Sequence, residues 1–303
     1  MMQIVSMNLD RIFPLSPVPG LIYLWFMTSG LQASGGPVGL GIQPPPPTAY
    51  ALALQKKAGS RLGADLAEVE AALTSEPHLL RLNTTDEYSQ LPASKLALEP
   101  ILAKLSRNSS PPAAQIIGSL CTNKVFLAEE SRAECLLLTL PAIHSLPAQA
   151  LSLLRKSVEP DSSSSEIAIR VLFDVGEKPA LDIFSEEVVG GRQDPVLVKG
   201  WMRDPLLRHR TEVGVLQMSL ELLQNPKFEA ELKNSLVESL FDYRPKEWYV
   251  PQEIEGHFPK PPPSKNLPRE ARELLKKIAA VVAADSDVSA TNKALVRKAV
   301  QSI

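Results

Sequence analysis

Apolar residues recur along much of this chain at the period of an α-helix, in short runs separated by polar or proline-bearing breaks. Over residues 48–74, Leu52, Leu54, Leu62, Leu66, Val69 and Leu73 keep helical spacing across a break at Gly59-Ser60, which predicts one or two helices. Residues 76–90 are polar and irregular. Beyond them Leu98, Ile101, Leu102 and Leu105 fall at i, i+3, i+4 and i+7, one stripe of an amphipathic helix. Ser109-Ser110-Pro111-Pro112 ends that helix and starts another, with Ala113, Ile116, Ile117, Leu120 and Cys121 on one face. Leu136, Leu140 and Ile143 continue the train, and residues 147–158 add Leu151, Leu153 and Leu154.

Residues 167–173 are apolar nearly all round, as expected for the inner helix of a layered array, and residues 179–189 align Leu181, Phe184 and Val188 as its partner. Asp194-Pro195, Asp204-Pro205 and Asn225-Pro226 each read as a helix start. In each, a capping side chain precedes a proline at the first helical position, where the missing N–H costs nothing. Helices this short are marginal alone, so each must bury its stripe against neighbours. The leading members begin near Lys95, Arg132, Ser165 and Thr211, at intervals of 37, 33 and 46 residues, which bracket the period of helical-hairpin repeats. In Asp204-Pro205-Leu206-Leu207-Arg208 the chain resembles the Asp-Pro-x-x-Arg helix start of HEAT-like repeats. The resemblance covers residues 95–240 and implies an all-α fold, an irregular helical-hairpin solenoid of the HEAT-like kind. An irregular helical domain is the alternative.

The flanks differ. Residues 12–31 carry no charge, and Gly20-Leu21-Ile22-Tyr23-Leu24-Trp25-Phe26-Met27 is a dense apolar block, followed by Leu31-Gln32-Ala33 before Ser34 as a small-residue cleavage site. Arg11 is offset by Asp10, and Pro14, Pro17 and Pro19 break the approach. A spanning helix needs about 20 unbroken apolar residues, so the expectation is an exported protein, periplasmic or secreted, with no stable membrane span after processing. An anchor, or an apolar tail on a cytoplasmic protein, is the alternative. The expected layout is a signal peptide or apolar tail over 1–33, a Gly/Pro-rich linker over 34–47 and a helical repeat domain over 48–242. A proline-rich connector over 243–267 and a C-terminal helix pair over 268–303 follow, the pair capping the array.

Composition narrows the function classes. Of 303 residues 44% are apolar, chiefly Leu, Ala and Val, and only 5% are aromatic, which suits helices better than sheet. With 32 Lys plus Arg against 34 Asp plus Glu the net charge is -2, no electrostatic case for nucleic acid or an anionic membrane. The four histidines, His78, His144, His209 and His257, lack ligand-spaced companions, so no metal or other cofactor is expected. Glu129-Glu130 and Glu186-Glu187 are adjacent in sequence, hence splayed on a helix, and Ser162 to Ser165 lacks a nucleophile elbow. Asn83-Thr84-Thr85 and Asn108-Ser109-Ser110 fit the glycosylation pattern.

Three groups of residues remain as candidates. Cys121 and Cys135 sit symmetrically about Ala128; in an antiparallel hairpin they would face each other, and a bridge closing a loop of about 15 residues would contribute roughly 3 kcal/mol in an oxidising compartment. Two small buried apolar residues are the cytosolic alternative. Arg208-His209-Arg210 is a small basic cluster, a solvated face or a contact for an acidic partner. Trp248 and Tyr249, with Phe258, lie among prolines and either dock into a partner or pack back on the array. The functional expectation is a noncatalytic scaffold that binds another protein. The alternatives are an enzyme whose site assembles between helices without a motif, and a carrier of a lipid or other apolar ligand.

Overall fold

The structure, a computed structural model, describes residues 48–77, 93–159, 162–191, 194–242 and 267–301. Among these every regular element is helical. Thr48 caps α1 (Ala49–Ala58) by accepting from the Ala51 N–H at 3.1 Å, and a break at Gly59 leads into α2 (Gly63–Ser75). Then come α3 (Ala93–Ser106), α4 (Pro111–Leu120), the single turn α5 (Lys124–Leu127), α6 (Glu130–Thr139) and α7 (Ala148–Ser157). The series continues with α8 (Ser165–Val175), α9 (Lys178–Gly190), α10 (Pro195–His209), α11 (Val213–Gln224), α12 (Ala230–Phe241), α13 (Arg269–Ala284) and α14 (Ala290–Val300).

Most positions of the stripes read from the sequence lie on buried faces, but Leu52 and Leu62 of the first stripe are exposed, at 49% and 68%. Leu98, Ile101, Leu102 and Leu105 of α3 are at most 2% exposed, and Ala168, Ile169, Val171, Leu172 and Phe173 of α8 are fully buried. Their burial joins the helices in a simple alternation. The helices α1, α3, α6, α8, α10, α12 and α14 pack side by side in that order, and α2, α4, α7, α9, α11 and α13 do the same in a second row. Apart from the α5 turn, consecutive helices alternate between the rows, and pairs such as α1–α2, α3–α4, α7–α8, α8–α9 and α13–α14 pack across from one row to the other. The last pair belongs to the same alternation: α13 lies on α11 and α14 on α12.

Two expected helix starts fall elsewhere. Asp194 does cap α10, accepting from the Val196 N–H at 2.8 Å, but Asp204-Pro205 lies inside that helix. Pro205 withdraws one N–H from the ladder, yet Leu206 is fully buried and α10 is gripped by α8 and α12, so tertiary packing carries the helix through the proline. The motif that resembles a HEAT-like helix start is thus mid-helix. Asn225-Pro226 forms the turn after α11, Asn225 Oδ1 accepting from the Lys227 N–H at 2.9 Å, and α12 begins later, at Ala230. Taking Pro195 in place of Thr211, the first-row helices begin at Ala93, Glu130, Ser165, Pro195 and Ala230, steps of 37, 35, 30 and 35 residues.

The hairpin expected around Ala128 also differs. Between α4 and α6, Asn123 starts α5 by accepting from the Phe126 N–H at 2.9 Å, which drives Phe126 into the core. Arg132 then clamps the turn: its guanidinium donates to the Phe126 and Val125 carbonyls at 2.8 and 3.1 Å and to Glu129 at 2.8 Å. With α5 inserted, the symmetry that would have paired the cysteines is lost. Cys121 and Cys135 are both buried and no disulfide joins them, Cys135 Sγ facing Glu99 of α3 at 3.7 Å. Burial pushes the Cys121 thiol up to about 12, which makes it an inert apolar filler.

Candidate functional site

The Arg208-His209-Arg210 cluster closes α10 and turns the chain into α11, and the structure pulls its three residues apart. Arg208 is exposed, the His209 side chain is 15% exposed and Arg210 is only 5% exposed. Successive helical residues point about 100 degrees apart, so a basic triplet at a helix end cannot present one face. The expected basic surface reduces to Arg208.

His209 instead makes a tie between hairpins. Its Nε2 lies 3.0 Å from Asp174 Oδ1 at the end of α8, its Nδ1 lies 2.8 Å from Glu212 Oε1, and its ring stacks on Phe173 at 6.4 Å. Burial works against the charged ring, but hydrogen bonds and Coulomb attraction from Asp174 and Glu212 outweigh it and lift the pKa to about 9. At neutral pH the ring is an imidazolium donating from both nitrogens. It therefore has no lone pair to take a proton or hold a metal, and its chemistry is that of a charged link. Two glycines let the backbones close up beside it. Gly176 ends α8 at φ 65, in the left-handed region, and a Cβ on Gly214 would sit 2.5 Å from the Gly176 carbonyl oxygen.

A second polar tie holds the last hairpin. Lys233 of α12, 5% exposed, donates to Asp285 and Asp287 at 2.9 Å each, both in the turn between α13 and α14. Burial raises the Asp285 carboxyl, but the Lys233 ammonium and the Asp287 N–H outweigh it and hold it below the ordinary carboxylate range. Asn234 accepts from the Ser289 N–H and from the Asn292 amide at 2.9 Å each. A third tie is Asn108, whose amide donates to the Ala58 and Ser60 carbonyls at 3.3 and 2.6 Å, fastening the α1–α2 turn to the end of α3. That amide nitrogen, the atom a glycan would take, is already committed to the fold. Ion pairs on the surface join in-row neighbours as well: Arg155 with Glu186, Lys178 with Glu221, and Lys199 with Glu231.

No family model, curated protein or solved structure matches this chain.

The other sequence candidates do not converge. His144 is exposed, whereas His78, His257, Trp248, Tyr249 and Phe258 lie outside the described residues, as do 1–47 and Asn83. Among the described residues no group of three or more His, Cys, Asp or Glu is arranged to hold a metal ion, and no helix is long and apolar enough to cross a membrane. A groove of about 480 Å³ on the α13–α14 pair has Val282, Val296 and Val300 among its lining residues and Lys293 and Arg297 beside them. Sequence reading missed Asp174 and Lys233 because their partners lie 35 to 54 residues away, and missed Glu212 although it stands three residues from His209. The Asp285-x-Asp287 turn before the Ser289 cap of α14 also carries a local signal, the Asp287 N–H bonding Asp285 at 2.8 Å.

Proposed function

We propose that this chain is an exported, noncatalytic α-solenoid of the HEAT-like kind that holds another protein along the surface of its helix rows. The observation that carries the reading is the in-row order α1, α3, α6, α8, α10, α12, α14, repeated by the second row. Such stacking builds long, regular surfaces, the usual means by which helical-repeat proteins bind large partners. The polar clusters support it too, since His209, Lys233 and Asn108 each spend their hydrogen bonds joining neighbouring hairpins. Export rests on residues 1–33 alone.

The test is affinity capture with the full chain, followed by crosslinking and mass mapping. Crosslinks to the partner spread over three or more successive hairpins of one row support the scaffold. Crosslinks confined to one hairpin, or turnover of a small molecule, would sink it. Intact-mass measurement of the protein from its native source decides the export part: loss of the first 33 residues is the expected result.

A further inference from the structure

The groove on the α13–α14 pair has an apolar floor of Val282, Val296 and Val300 and a rim of one charge, Lys293 and Arg297. Neither cation makes an ion pair among the described residues, and α14 has no acidic residue. Asp285 and Asp287, in the turn between the two helices, are bound to Lys233. On α13 the exposed Glu270 and Glu273 stand among Arg269, Arg272, Lys276 and Lys277, in the part of the helix that precedes the groove wall at Ala279. The pair is therefore cationic, and its groove is complementary to a segment that is apolar and acidic together.

Such a segment lies in the chain itself, between α12 and α13. Glu247-Trp248-Tyr249-Val250, Glu253-Ile254-Glu255 and Phe258 bring apolar side chains and carboxylates together without a Lys or Arg among residues 247–258. Arg244, Lys246 and Lys260 fall outside that stretch. We infer that residues 247–258 occupy the α13–α14 groove of their own chain, apolar side chains on the valine floor and glutamates toward Lys293 and Arg297. Length permits it. Residues 243–266 join Asp242 at the end of α12 to Leu267 just before α13, and the groove begins at Ala279, about 15 Å along α13 from Arg269. Fully extended, those residues span up to about 80 Å, enough to run along the helix and return. The other stretches outside the described residues fit less well. Residues 12–31 carry no charge to meet the cations, and residues 78–92 join α2 to α3 in the first hairpins of the rows. Docking within the chain needs no second molecule and costs the closure of a loop of about 25 residues, which an intramolecular contact meets at high effective concentration. Trp248 and Tyr249 are then engaged inside the molecule, and a different partner held along the rows would not use them; the inference does not depend on that partner.

Chymotrypsin digestion of the full chain tests it, read at the Trp248–Tyr249 and Tyr249–Val250 bonds against a free peptide of residues 243–266. The chain should be cut there at least about tenfold more slowly than the peptide. Lys293→Glu with Arg297→Glu should remove most of that protection, with thermal unfolding unchanged. Glu247→Lys with Glu253→Lys and Glu255→Lys should do the same relative to its own peptide, and joining the two sets of reversals should restore protection. A chain cut as fast as the peptide overturns the inference. So does protection that survives either reversal, or that the combined variant fails to recover. Ala283→Cys, at an exposed groove residue, carries a benzophenone photo-crosslinker as a second measurement that alters no charge, Cys121 and Cys135 being buried. Adducts mapped to residues 247–258 of the same, monomeric chain are expected. Crosslinked dimers would put a second copy in the groove, and adducts elsewhere or none would leave the segment out of it; each of these results overturns the inference even where the charge variants fail to fold.

Discussion

At His209 two carboxylates decide the sign of a pH dependence. Its folded-state pKa of about 9 lies above the ordinary 6.5, so its contribution to stability is fully present below about pH 6.5 and is lost as the pH rises through about 9. Urea titrations should show the chain losing about 2 kcal/mol across that window, a figure reduced for solvent screening. In His209→Gln the loss across the same window should vanish; an unchanged slope would remove the role assigned to this ring. Lys233 makes the opposite kind of prediction, one about an unpaired charge. Lys233→Met leaves Asp285 and Asp287 facing each other at a partly buried turn and should cost about 3 kcal/mol in thermal unfolding. Adding Asp285→Asn and Asp287→Asn to that variant should recover much of it, because amides do not repel. Of these pairings only His209 with Glu212, three residues apart, lay within reach of a sequence pattern. A triplet such as Arg208-His209-Arg210 shows its charge but not its direction, and His209 finds Asp174 only because α8 and α10 are row neighbours.

At the scale of the element, most helices could be read from the chain and the exceptions share a cause. The stripes of α3, α4 and α8 were legible because burial on one face leaves a period of its own. Helix α10 was not, because Asp204-Pro205 carries the local chemistry of a helix start while the forces that hold the helix through it come from α8 and α12. The α5 turn escaped notice for the converse reason: four residues are too few to show a period, and its anchor is Arg132, which follows it. The α8–α9 and α10–α11 turns meet backbone to backbone, and that gives a sharp test. Gly214→Ala adds a Cβ 2.5 Å from the Gly176 carbonyl oxygen and 3.3 Å from Leu181 Cδ1, so the melting curve should show a loss of about 1–3 kcal/mol despite alanine's better helix propensity. Gly63→Ala is the control. Nothing lies within 4 Å of a Cβ at that position, and the same measurement should find it neutral or slightly stabilising.

For the whole molecule, one continuous apolar core runs from Leu54 to Val296, and within it each helix contacts chiefly its row neighbours. Damage should therefore stay near where it is done. Asn108→Ala removes the tie to the Ala58 and Ser60 carbonyls at a cost of about 1–2 kcal/mol. Hydrogen exchange should then speed up over α1 and α2 while α8 to α12 keep their protection; uniform acceleration would mean that the molecule unfolds as a single unit. The same arrangement sets how such a chain can change length. Removing one residue from a helix rotates everything beyond it by about 100 degrees and turns the buried stripe toward water. Removing a full hairpin, such as the 35 residues from Glu130 up to Ser165, brings two like surfaces together and leaves every other helix with its own kind of neighbour. Insertions and deletions tolerated by this protein should accordingly come in whole hairpins.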